Sequence, residues 1–217
     1  MSYAITLAEV EAQLRKAARA VGLGWGMAEE AGKSARWLAA FALPGAELML
    51  AHLQALQDCD YPPWAPDVEH EPWQAAGGKL CPVITGAALA DRAAWLLEGR
   101  SIRLGCTAYP LLLVATLGQA ARFHRTAFTA SWDRIEVTCF GHDLAIAGDE
   151  TALTLTETDS VVCRHDPDAV AQQHASSLAY SIDEESLAAI DALAYRTYAP
   201  ATDESRAGAG AGLTDND

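Results

Sequence analysis

The sequence predicts an α+β protein: a helical N-terminal part, an antiparallel β-meander of four to five strands, and covering helices. Three observations carry this. Apolar residues recur at spacings of three and four over the first 58 residues. Between residues 126 and 164 the pattern changes to short alternating runs separated by turn sequences. The helical spacing then returns near residue 181.

The first helix carries its own start signal. Thr6 and Glu9 form a capping box, with Ile5 and Val10 as the flanking apolar pair. Leu7, Val10, Leu14, Ala17 and Val21 make one apolar face, and Gly22 supplies a stop. A second helix is expected from about Gly26 to Ala42, and a third beginning at Pro44. Residues 59–78, with four prolines, two tryptophans and a tyrosine, read as a crossover loop without regular structure. A helix is expected over 87–97, a short strand over 101–107, and a buried helix ending in Arg122 and Arg125. Strands are expected at about 126–132, 135–140, 143–147, 151–156 and 160–164. The last helix is expected to begin near Ser181, capped through Glu184. The chain thus divides into a helical part (1–58), the crossover loop (59–78), an α+β part (79–197) and a glycine-rich acidic tail (198–217), within one compact unit.

Charge is distributed unevenly. The net charge of −14 argues against nucleic acid and anionic membranes as partners. Residues 79–134 nevertheless carry seven bases against three acids, a basic island in an acidic chain. It reads either as internal pairing or as an anion pocket. No apolar run is long enough to span a bilayer, and the charged first twenty residues predict no secretory leader. Five widely spaced cysteines without a CxxC pair suggest a reduced, cytoplasmic setting.

Few motifs suggest chemistry. Gly26–Ser34 imitates a phosphate loop, but its spacing is wrong and it places Glu29 and Glu30 where phosphate would sit. Glu29 and Lys33 are read instead as a helical pair. Glu29 and Glu30 are the candidate bases, if one of them turns into a cleft beside Trp25 or Trp37. Cys106, just before an expected helix, is a candidate nucleophile, with His124 or His142 as its base. Arg122, Arg125 and Arg196 are candidate anion ligands. Cys163 and His165 lack partners at metal-site spacing, so no metal and no cofactor is expected. The acidic tail, with Asp215 and Asp217, is expected to lie on arginines such as Arg122, Arg125 or Arg206 of its own chain or a neighbour.

The segments 24–40 and 196–217 resemble the opening and closing signatures of a small bacterial family of unassigned function. The resemblance implies that the tail is a regular feature and carries no activity with it. The first forty residues are also similar to the helical N-terminus of the malate/L-lactate dehydrogenase family. That family's Ser-His-Gly segment is replaced here by "LPGAELML", so its catalytic feature is absent. The leading expectation is a non-enzymatic protein that binds a partner or ligand, with a homo-oligomer as one form. The alternative is a small enzyme or binding protein for an anionic metabolite, its cleft lying between the helical part and the sheet.

Overall fold

The structure is a computed structural model and describes residues 2–57, 62–170 and 177–198. The expected tail contacts of Arg206, Asp215 and Asp217 lie outside the described residues.

A strand not expected from the sequence, β1 (Ser2–Thr6), leads into α1 (Leu7–Ala20). The junction is the capping box: Thr6 Oγ1 accepts from the Glu9 amide at 3.2 Å, and Glu9 Oε2 accepts from the Thr6 amide at 2.7 Å. The bonds that the carboxylate accepts from the Thr6 amide and hydroxyl hold the Glu9 carboxyl below the usual range. Helix α2 (Trp25–Ala40) buries Ala28, Ala31, Ala35 and Ala39, small residues that let it lie close against α1. Helix α3 (Gly45–Leu56) follows, with Pro44 at its N-cap and not inside its first turn.

The proline-rich crossover is more regular than expected. It contains a 3₁₀ turn at Pro62–Trp64 and a small hairpin, β2 (Pro66–Asp67) with β3 (Gln74–Ala75). Trp73 is fully buried, and its amide donates to the Arg103 carbonyl at 2.8 Å. Helices α4 (Pro82–Asp91) and α5 (Ala93–Leu97), strands β4 (Ile102–Leu104) and β5 (Thr107–Ala108), and helix α6 (Leu111–His124) come next. Helix α6 is buried along most of its length and packs between α2, α4 and the sheet.

The sheet strands are β6 (Phe128–Trp132), β7 (Ile135–Cys139) and β8 (Leu144–Gly148), followed by β9 (Glu157–Thr158) and β10 (Val161–His165). The main sheet is ordered β4-β10-β6-β7-β8 and every pairing is antiparallel. Strands β6, β7 and β8 form the expected meander, and β10 returns between β4 and β6. Residues 150–154 form a 3₁₀ turn where a strand was expected. The Asp149 carboxylate accepts from the Thr151 amide at 3.1 Å and tightens the chain there.

Strand β11 (Ala179–Asp183) pairs antiparallel with β1, and α7 (Glu184–Tyr195) follows it. The expected helix start at Ser181 is therefore corrected. Ser181 pairs with Ala4 in the ribbon, and the cap is Asp183, which accepts from the Ser186 amide at 2.8 Å. Tyr180 and Ile182 point inward, and Tyr180 Oη donates to Glu47 Oε2 at 2.6 Å. One cluster of buried apolar residues runs from Val10 on α1 to Leu193 on α7.

Candidate functional site

A cleft of about 510 Å³ opens where the helical part meets the sheet. Leu7 and Glu11 of α1 and Lys33, Arg36, Trp37 and Ala40 of α2 form one wall. Gln119 and Arg122 of α6 form the other, with Gly141 and His142 of the β7–β8 turn at one end. Its volume lies within the ordinary range for small-ligand pockets.

Helical geometry decides which groups reach it. Lys33, Arg36, Trp37 and Ala40 stand at positions i, i+3, i+4 and i+7 and share one stripe of α2. Gln119 and Arg122 are likewise three apart on α6. Trp37 is the pivot. Its ring lies against Gly118, where an added Cβ would meet Trp37 Cζ2 at 2.3 Å. It also packs on Phe41 with ring centres 4.6 Å apart, and its indole N–H points at the Gly141 carbonyl at 3.4 Å. Gly141 has φ +87°, and a Cβ there would lie 2.7 Å from Arg122 Cα. Glycine is therefore required for the turn to close against α6.

Positive charge dominates the lining. Lys33, Arg36 and Arg122 stand against one carboxylate, Glu11. Arg36 Nη1 bonds Glu11 Oε2 at 2.7 Å, across from α2 to α1. Lys33 Nζ bonds Glu30 Oε1 at 2.9 Å, so the expected Glu29–Lys33 pair is corrected to a pair three residues apart. The Lys33 ammonium is held above its usual range, chiefly by that bond. Arg122 has no carboxylate partner among the described residues, and Gln119 Nε2 is buried without a hydrogen-bond acceptor. The α6 wall thus presents a cation that no carboxylate among the described residues takes up, with the unpartnered Gln119 Nε2 buried behind it. A buried unused donor is costly unless something accepts from it.

The other candidate residues lie elsewhere. Trp25 is exposed at the start of α2 under the Arg19 guanidinium, 4.6 Å from its ring. It stands twelve residues before Trp37, about 120° around the helix. Glu29 is exposed and Glu30 is taken up by Lys33; neither lines the cleft. Arg125 is the left-handed cap of α6 and Arg196 caps α7, both exposed and outside the lining. Cys106 sits in a bend between β4 and β5, not at the α6 start, and burial followed by Glu157 raises its thiol. No contact joins it to His124 or His142 among the described residues. Cys163 is buried in the sheet, and His165 Nε2 bonds Thr126 Oγ1 at 2.6 Å. Among the described residues no three His, Cys, Asp or Glu side chains are grouped so as to hold a metal ion.

Lys33, Arg36 and Gln119 were missed as lining residues. Each has a local role that hides it: the first two are helix-surface charges, and Gln119 is one polar residue in an apolar helix. Arg122 and Trp37 were visible in the sequence.

Residues 5–81 match the model of a protein family of unknown function, DUF3726. That stretch carries Glu11, Lys33, Arg36 and Trp37 but not the α6 wall, and the closing segment 196–217 falls outside it. No curated protein and no solved structure matches the chain. No helix among the described residues is long and apolar enough to cross a membrane.

Proposed function

We propose that the protein binds a small anionic ligand in the cleft between α1, α2, α6 and the β7–β8 turn, without acting on it chemically. The carrying observation is Arg122 on the α6 wall, which has no carboxylate partner among the described residues and lines the cleft together with Arg36 and Lys33. A carboxylate or phosphate oxygen is the group that suits the guanidinium, since charge-assisted hydrogen bonds are the stronger ones. Arg36 and Lys33 extend the positive field on the facing wall, while Trp37, Phe41 and Leu7 supply apolar surface for the ligand's body. The lining's one carboxylate is held by Arg36, which leaves it as a brace for a cation and not as a base for a substrate. In a cytoplasm-like, reducing setting such a protein acts as a carrier or sensor of its ligand.

The test is a thermal-shift series with succinate, benzoate and inorganic phosphate, repeated by titration calorimetry on any stabilising probe. Arg122→Glu should weaken binding at least about tenfold, because it converts an attraction to a repulsion. Gln119→Leu should weaken it less and leave the fold intact. A chain that no anion stabilises, or whose affinity is the same in Arg122→Glu, rules this reading out. Conversion of a bound probe during incubation would move the assignment to the enzymatic alternative.

A further inference from the structure

The chain carries an anion of its own within reach of the cleft. Residues 199–217 continue past the described part and hold four acids against one base. Two of those acids, Asp215 and Asp217, stand in a stretch, 207–217, that contains no cation. Alternate residues of an extended segment share a side. In 207–217 that spacing puts Leu213, Asp215 and Asp217 together, and gives the opposite side three glycines, Thr214 and Asn216. The sequence therefore encodes a thin strip with one face, apolar and then acidic.

The cleft has the matching parts. Leu7, Trp37, Phe41 and the exposed Leu178 supply apolar surface, and Arg122, Arg36 and Lys33 supply charge. Arg36 and Lys33 already have Glu11 and Glu30. Arg122 has no carboxylate among the described residues.

Reach does not limit the pairing. Tyr198, the last described residue, is tied to α1 by Lys16, whose Nζ donates to Tyr198 Oη at 2.6 Å. Lys16 is five residues from Glu11 in the cleft wall. That is about 7.5 Å along the axis, with a helix of roughly 10–12 Å diameter to be rounded. Asp215 follows Tyr198 by 17 residues, a span of at most roughly 56–61 Å. A site and its ligand joined over such a distance meet at an effective concentration on the order of millimolar. The same segment on a second copy, at micromolar protein, is about a thousandfold more dilute.

We propose that the acidic C-terminal segment is an internal ligand of the cleft, with Asp215 and Asp217 against Arg122 and Leu213 against the Trp37 side, and that an incoming anion binds by displacing it. The inference rests on the anion reading of the cleft and adds its regulation: the segment sets the ligand concentration at which the cleft fills.

The experiment uses the whole chain and two readouts. In the first, a carbodiimide couples carboxylates to an adjacent amine. Arg122→Lys places an amine on the cleft wall, and Arg125→Lys places one three residues further on, outside the lining. Arg122→Lys should couple to Asp215 or Asp217 within a monomer, at several times the yield of Arg125→Lys, as read by peptide mass mapping. In the second, Asp215→Asn combined with Asp217→Asn should tighten benzoate and succinate about threefold or more by calorimetry, because the tethered competitor is weakened. Equal coupling in the two Lys variants, coupling found only in cross-linked dimers, or an unchanged anion affinity in the double Asn variant overturns the inference. The outcomes also separate it from the reading it rests on. Arg122-dependent anion binding that the double Asn variant does not alter removes the internal ligand and leaves the anion cleft standing. Failure of both anions to bind wild type and the double variant removes both.

Discussion

His52 and Cys81 meet inside the core, with Nε2 of the imidazole 3.2 Å from the thiol sulfur and both residues fully buried. His52 comes from α3, Cys81 caps α4, and the rings of Tyr109 and Trp64 lie on the imidazole, 5.5 and 6.2 Å away between centres. Nδ1 has no partner. Burial alone lowers the His52 pKa to about 3. Burial also pushes the Cys81 thiol up to about 11, outweighing the amides of Ile84 and Val83 that point at it. The pair is therefore uncharged at neutral pH, a structural contact and not an ion pair of the kind that activates a nucleophile.

This predicts an acid-sensitive fold. In the unfolded chain His52 takes up a proton below its ordinary pKa of about 6.5, while in the fold it stays neutral to about 3. The unfolded state then binds more protons, so stability falls as pH drops through that window, by up to about 5 kcal/mol across the whole of it. Glu9, Asp67, Asp149 and Asp183, whose carboxyls are lowered, lose their contributions only as pH falls below the carboxylate range. Urea unfolding from pH 7 to pH 4.5 should show the loss in wild type and a much flatter profile in His52→Leu. Parallel profiles would assign the acid loss to other groups.

Cysteine reactivity should follow burial. Burial lifts the thiols of Cys81 to about 11 and of Cys163 to about 12, and raises Cys139 further, while Cys106 is raised but half-exposed. Among these four, iodoacetamide should label Cys106 first in the native protein. The other three should react at the rate of global unfolding, as read by peptide mass mapping.

Gly118 is the contact through which α2 is seated on α6. Gly118→Ala places a methyl in the Trp37 ring, and Trp37 is a flexible side chain's end only in name, since Phe41 and the Gly141 carbonyl hold its other sides. The substitution should cost about 1–3 kcal/mol despite alanine's better helix propensity. It should also shift the Trp fluorescence and weaken binding in the cleft. Unchanged stability would mean that the helices separate there at little cost.

Tyr180→Phe removes the hydrogen bond from β11 to Glu47 on α3 and should cost about 1–2 kcal/mol in urea melts. Burial and the Glu47 carboxylate raise the Tyr180 phenol, so the loss should not vary with pH up to 9. A loss that varied between pH 7 and pH 9 would overturn this account.

How much of this could be read in advance depended on the range of the forces involved. The α1 start was legible because its capping box spans four residues. The same motif misled at Ser181, where pairing with Ala4, 177 positions away, outweighed a local cap. Residues 151–156 alternate like a strand, yet a side-chain bond from Asp149 winds them into a turn. The hairpin strands in the crossover are two residues each, too short for a period. Arg122 was visible as a cation at a helix end. That it faces Arg36 across a space depends on Trp37 meeting Gly118, a contact between residues 81 positions apart that no local pattern encodes.

The β1–β11 ribbon also has a bearing on the order of synthesis. Thr6, the cap of the first helix, is paired with Ala179, and α7 closes over α1 just beyond it. During translation the apolar face of α1 therefore emerges with its final neighbour still about 170 residues away, at roughly 5–20 residues per second. The N-terminal helices must wait in a partly covered state for many seconds, until α7 arrives.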